Sequence, residues 1–257
     1  MELSQLYLFS GELIIAMMTA LWVLSLILKN SSIVDIFWGI GFVIINLAAY
    51  YSSQQTIQQT LLTIIVTLWG LRLSIHIYLR NHGKPEDFRY AQWRREQGSR
   101  WWWISFFKVF LLQGVLMWII AAPLLAVQTF DSVPSFASLQ VIGIIIWGIG
   151  FFFEAVSDYQ LARFKSDTRH QGKLLTSGLW RFSRHPNYFG DTIQWWGFYI
   201  LAATSGYWWT IFSPVIMTLL LLRVSGVTLL EKTMKTRPGY EEYIRTTNAF
   251  IPWIPRQ

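Results

Sequence analysis

Seven stretches of this chain are apolar enough, or nearly so, to be read as membrane-crossing helices: 6–28, 33–51, 58–79, 104–127, 139–156, 188–203 and 207–224. Ser205-Gly206 leaves almost no connection between the last two, so they are expected to form a long helical hairpin. The polar positions fall between the runs with a regular bias. Lys29 lies in the first connection, and six Lys or Arg from Arg80 to Arg100 lie in the third. Six more from Arg163 to Arg184 lie in the fifth, and the tail carries five from Lys232 to Arg256. The second connection (52–56), the fourth (128–138) and the sixth contain none. Alternation of basic and non-basic connections is the positive-inside pattern of a seven-span protein with its N-terminus outside and its C-terminus in the cytoplasm. The fold class expected is therefore an all-α polytopic membrane protein.

Composition agrees. Of the 257 residues 53% are hydrophobic and only 14% charged, with 15 Trp and 18 Phe; the mean hydropathy is +0.37. The net charge of +7 is accounted for by topology, and nucleic acid is not expected as a partner. With no cysteine, thiolate metal sites, disulfides and Cys nucleophiles are excluded. Residues 1–10 lack a basic n-region, so the first apolar run is expected to be retained rather than cleaved. No internal repeat stands out. The third connection mixes basic residues with Tyr90 and Trp93 and leads into Trp101-Trp102-Trp103, which reads as an amphipathic segment lying at the membrane surface.

Polar groups carried into apolar runs point to function. Pro186 suits the first position of a helix, where its missing N–H costs nothing. A helix starting there places Asn187 and Asp191 on one face, with Arg181, Arg184 and His185 at its positive end. Glu154, Asp158 and Lys165, at offsets of four and eleven, share a face at the inner end of the fifth run. Two such polar walls, a basic rim and the tail residues Tyr240 and Tyr243 suit a ligand with anionic phosphates outside and a flat ring inside. In the first half, Asp35 is either a helix cap competing with Ser31 and Ser32 or a site residue. His76 lies one turn from Arg72, and Tyr78 is close by. The four histidines show no paired ligand spacing, so no metal site is expected, and no glycine-rich dinucleotide fingerprint follows a strand.

The run from Leu175 to Asp191, with Arg237-Pro238-Gly239-Tyr240-Glu241-Glu242-Tyr243 and Phe250-Ile251-Pro252-Trp253, resembles the bacterial branch of the steroid 5-alpha-reductase family. Its superfamily also holds sterol reductases and isoprenylcysteine carboxyl methyltransferases. The resemblance implies one membrane-embedded domain over 1–257, with 1–127 on the substrate side and 139–257 forming the cofactor half. It implies NADPH as cofactor, contacted by Glu154, Asp158, Lys165, Asn187, Tyr188 and Asp191. Arg181 and Arg184 would hold phosphates, His185 would be a further cofactor contact, and Tyr240 and Tyr243 would close the tail over the cofactor. Glu154 stands where the steroid enzymes carry Asn, and Lys165 where they carry Arg. The tyrosine with which those enzymes polarise an enone falls here at Gly70.

The expected activity is an NADPH-dependent reduction of a conjugated C=C bond in a lipophilic substrate, a steroid-like, isoprenoid or other lipid enone. Asp35, His76 and Tyr78 are the candidate acids. The expected location is the bacterial inner membrane, among membrane lipids, with the cofactor site facing the cytoplasm. The rival readings are an S-adenosylmethionine-dependent methyltransferase of a prenyl or lipid substrate and a membrane scaffold.

Overall fold

A computed structural model describes residues 1–130, 137–224 and 226–256. Every regular element among the described residues is helical. Six helices are long and apolar enough to cross a membrane: Leu3–Leu28, Ile33–Tyr51, Ile57–Asn81, Phe88–Ile120, Ser138–Ser166 and Trp208–Lys232. This is an integral membrane protein by the length and composition of its helices. Large apolar side chains such as Leu8, Ile15, Ile27, Ile64, Ile75 and Ile145 point outward, as expected of helices whose surroundings are lipid. The contacts divide the chain into two compact units, Met1–Val133 and Pro134–Gln257.

The first unit comprises α1 (Leu3–Leu28), α2 (Ile33–Tyr51), α3 (Ile57–Asn81), α4 (Phe88–Ile120) and the short α5 (Ala122–Gln128). Helices α2 and α3 form a hairpin in which Gly39 and Gly70 meet backbone to backbone. A Cβ on Gly70 would lie 2.6 Å from the Gly39 carbonyl oxygen, so both positions must remain glycine for the helices to approach this closely. Two turns further on, Gln128 donates to Asn46 Oδ1 (3.1 Å) and Thr63 Oγ1 (3.0 Å), while Gln59 donates to the Gln128 carbonyl (2.9 Å). The buried polar layer thereby ties α5 to the hairpin.

Two boundaries differ from expectation. The predicted fourth run, 104–127, is preceded by a polar helical segment that turns at Gly98, whose φ is 53°, and the helical stretch as a whole spans Phe88–Ile120. Helix α4 opens at Phe88, where the Asp87 side chain accepts from the Arg89 N–H at 3.0 Å. Its first turns are too polar for a hydropathy window; they bury Tyr90 and leave Phe88, Gln92, Arg95 and Glu96 exposed. At the other end, Pro123 has no N–H and crowds the preceding turn, and the chain breaks at Ala121 before α5 begins. The expected connection 128–138 lies in part outside the described residues.

The second unit comprises α6 (Ala137–Ser166), α7 (Pro186–Thr204), α8 (Phe212–Leu219), α9 (Val227–Met234) and α10 (Tyr240–Thr246). Helices α6 and α7 run antiparallel with matched small residues two turns apart: Gly143 faces Gly197 and Gly150 faces Gly190. Helix α7 is the predicted sixth run. Its 19 residues form a helix, but it is not among the six that are apolar enough to cross a membrane. Its buried face carries Asp191, Thr192 and Gln194.

Candidate functional site

The close approach of α6 and α7 brings the two polar walls expected from the sequence into contact. His185 takes a non-helical conformation and Pro186 opens α7. One residue on, the Asn187 amide donates to Asp158 Oδ1 at 3.1 Å. Two turns further, Gln194 donates to Glu154 Oε2 at 2.7 Å. Glu154, Asp158 and Asp191 are all buried. The carbonyl oxygen of Asn187 and the hydroxyl of Thr192 have no hydrogen-bond partner, which leaves acceptor capacity in this layer.

Below this layer lies a cavity of 510 Å³ bounded by the last turn of α6, the 168–175 connection, Trp180, α9 and the start of α10. Exposed Lys165, Lys173 and Arg237 line it, with the indole of Trp180 and the phenols of Tyr240 and Tyr243 further in. Burial raises the pKa of Tyr243. Burial and then the nearby Glu231 charge raise that of Tyr240. Both phenols therefore stay protonated at neutral pH.

The expected set of cofactor residues thus separates into two groups. Lys165, Arg184, His185, Tyr240 and Tyr243 border the cavity. Glu154, Asp158, Asn187 and Asp191 belong to the packed layer between helices, and Tyr188 stacks on His185 with ring centroids 5.8 Å apart. Arg181 is exposed and is not one of the cavity-lining residues.

Arg184 has a different role from the phosphate contact expected of it. It is buried, and its Nε and Nη2 donate to Glu231 Oε1 at 2.9 and 2.6 Å. Its Nη1 donates to the carbonyls of Thr247 (2.5 Å) and Ile244 (3.3 Å). Every guanidinium nitrogen is engaged, so Arg184 fastens the tail. His185 Nε2 lies 3.4 Å from the same Glu231 oxygen. Tyr243 donates to the Trp180 carbonyl, making it a second fastener.

In the first unit, Asp35 lies in the first turn of α2 rather than at its cap. Its carboxylate accepts from Tyr90 Oη at 2.7 Å and from Arg89 Nη2 at 3.2 Å, and Gln113 donates to the same Tyr90 oxygen at 3.2 Å. Ser32 occupies the cap position. Asp87, just outside α4, has its pKa lowered: burial alone would raise it, but hydrogen bonds from Arg89 outweigh that. Of the other candidate acids, Tyr78 is 48% exposed with its ring tilted against His82, and His76 is half-buried on α3.

A family model described as a protein of unknown function (DUF1295) matches residues 21–247. The chain belongs to the DUF1295 family. An uncharacterised protein of Schizosaccharomyces pombe is 26% identical over 228 residues, covering 75% of this chain and 64% of that protein. The chain thus spans less than two thirds of the relative's length. No solved structure matches.

Three residues that partner the candidate site residues of this DUF1295 chain escaped the sequence reading. Gln194 follows Asn187 by seven residues and Asp191 by three, so helical spacing alone would have placed it on the same face. Glu231 sits in a short amphipathic helix with Lys235 four residues on as its local candidate partner, and only the fold pairs it with Arg184. Tyr90 was visible as an aromatic in a basic run, but nothing local separates a buried tyrosine from an interfacial one. Gly70, where the resemblance would put a tyrosine, lies against the Gly39 backbone, so the helix hairpin itself excludes a side chain there.

Proposed function

We propose that this DUF1295 protein is an NADPH-dependent membrane reductase of a lipophilic substrate bearing a conjugated C=C bond, with the cavity of the second unit opening to the cytoplasm. The observation that carries the reading is that cavity: its 510 Å³ falls in the range of about 300–1,000 Å³ common for small-molecule sites. Three exposed cationic side chains line it, with the buried Arg184, the carboxylate of Asp167 and aromatic walls. Lys165, Lys173 and Arg237 suit the phosphates of a dinucleotide. The same cations disfavour S-adenosylmethionine, whose sulfonium is itself positive, which sets the methyltransferase reading second.

NADPH supplies a hydride when bound. The reduction also needs a proton, for which Asp35, His76 and Tyr78 are the candidate donors. The sequence resemblance to the steroid 5-alpha-reductase family and the basic alternation of the connections support the cofactor and the orientation, and a bacterial inner membrane is the location they favour.

Titration of the purified protein in detergent with NADPH and with S-adenosylmethionine tests this. Saturable NADPH binding is expected, weakened by about tenfold, or about 1.4 kcal/mol, when Lys165 and Arg237 are both replaced by Ala. Binding of S-adenosylmethionine without NADPH would overturn the reductase reading, and binding of neither by folded protein would favour a scaffold.

A further inference from the structure

The last segment of the second unit shows an unusual combination of apolar exposure and firm attachment. Ile251, Trp253 and Ile254 are 63%, 67% and 75% exposed. Yet the segment is no loose end. Trp253 N–H donates to the Phe182 carbonyl at 2.9 Å, Arg256 N–H to the Thr246 carbonyl at 2.8 Å, and Arg184 N–H to the Asn248 carbonyl at 2.9 Å. The Ser183 hydroxyl donates to the Phe250 carbonyl at 2.8 Å. Pro252 removes one donor and narrows the backbone further. Three large apolar side chains are therefore held outward in one arrangement, which in water would be a standing cost.

The neighbours indicate what covers them. Pro252, Trp253 and Ile254 line a shallow apolar groove with Phe182 and Phe153. Phe153 belongs to α6, whose stretch Ser138–Ser166 is apolar enough to cross a membrane, and Phe152 beside it is 54% exposed. The groove is thus continuous with a surface that lipid must already cover. Arg181 and Arg256 are exposed and belong to the segments joined here. Thr247 Oγ1 donates to the Arg181 carbonyl, and Arg256 is tied to Thr246. Tryptophan and aliphatic side chains flanked by arginine are the pattern of a membrane-interface anchor, the rings at headgroup depth and the cations toward lipid phosphates.

We propose that 251–254 is a wedge seated in the headgroup–acyl boundary of the bilayer, its occupant being membrane lipid rather than protein. The wedge has a consequence for the cavity. Its hydrogen bond from Arg256 holds the end of α10, the helix that presents Tyr240 and Tyr243 to the cavity, and Arg184 grips the same turn through Thr247. Lipid contact at the wedge therefore steadies one cavity wall. Tyr240 and Tyr243 face inward, and 251–254 is the part that meets lipid.

The absence of cysteine from the chain makes the test direct. Ile254→Cys and, as a water-exposed control, Glu241→Cys are labelled with an environment-sensitive fluorophore and reconstituted in nanodiscs. The nanodisc lipid carries a doxyl quencher near the carbonyl end of its acyl chains. Fluorescence from position 254 is expected to be quenched several-fold more by lipid than that from position 241, and several-fold less by aqueous iodide. Equal iodide quenching at both positions would overturn the proposal. Protection of position 254 from both quenchers would also overturn it, pointing to a protein partner. Both substituted side chains are exposed, and an unchanged elution profile and Tm confirm that the labelled variants are folded.

Discussion

Replacing Arg184 by Met separates a fastening role from a ligand-binding role more sharply than any other single change. The guanidinium makes two hydrogen bonds to Glu231 Oε1 and two to tail carbonyls. Charge-assisted bonds contribute about 1.5–3 kcal/mol each in isolation, so a simple sum would exceed 6 kcal/mol by this rough reckoning. The sum overstates the loss, because the four bonds share one group and its burial carries a desolvation cost. Breaking a buried ion pair by removing one partner costs about 3–5 kcal/mol. Glu231 retains 21% side-chain exposure and can regain water, which places the loss at the lower end, about 3 kcal/mol.

The assay is the unfolding free energy in mixed micelles for Arg184→Met, Glu231→Leu and the double variant. The double variant should recover about 1 kcal/mol or more relative to the sum of the singles, since no carboxylate is then left unpaired. A single Arg184→Met variant within about 0.5 kcal/mol of the parent, with NADPH affinity sharply reduced, would refute the argument. It would return the guanidinium to phosphate binding.

Gly190→Ala should destabilise by about 1–3 kcal/mol, because the added carbon would sit 2.9 Å from Glu154 Cα and against the Gly150 carbonyl, both backbone atoms that cannot yield. Gly148→Ala is the matched control: nothing lies within 4 Å of its position, and a gain of up to about 1 kcal/mol from helix propensity is expected. Equal Tm values for the two would contradict the close packing of α6 on α7. Alkaline stability gives a further check. Tyr243 has its folded-state pKa raised above the ordinary 10.0, so above pH 10 or so the unfolded chain loses a proton that the folded chain keeps. The contribution is whole below that point and declines as pH rises through the raised value. Unfolding midpoints measured from about pH 8 to 11 should fall less steeply for Tyr243→Phe than for the parent; parallel slopes would exclude the phenol as the cause.

Local spacing carried a large part of this protein. The apolar runs marked the helices, because a span must be long and uninterrupted to satisfy its backbone in lipid. Pro186 marked the start of α7, and the four-residue spacings of Glu154 with Asp158 and Asn187 with Asp191 each described one helix face, since 3.6 residues make a turn wherever the helix lies. Where polar residues begin a helix, as in the first turns of α4, or a proline interrupts one, as at Pro123, hydropathy misplaces the ends.

Partnerships across long separations belonged to the tertiary structure. Asp35 meets Tyr90 across 55 positions and Arg184 meets Glu231 across 47. The closeness of such pairs depends on how the intervening helices pack, which no periodicity records. That packing turned Arg184 from an apparent anion-binding group into a strut. It also left Lys165, Lys173 and Arg237 as the exposed cations of the cavity, and turned the tail's apolar residues outward while its tyrosines turned in.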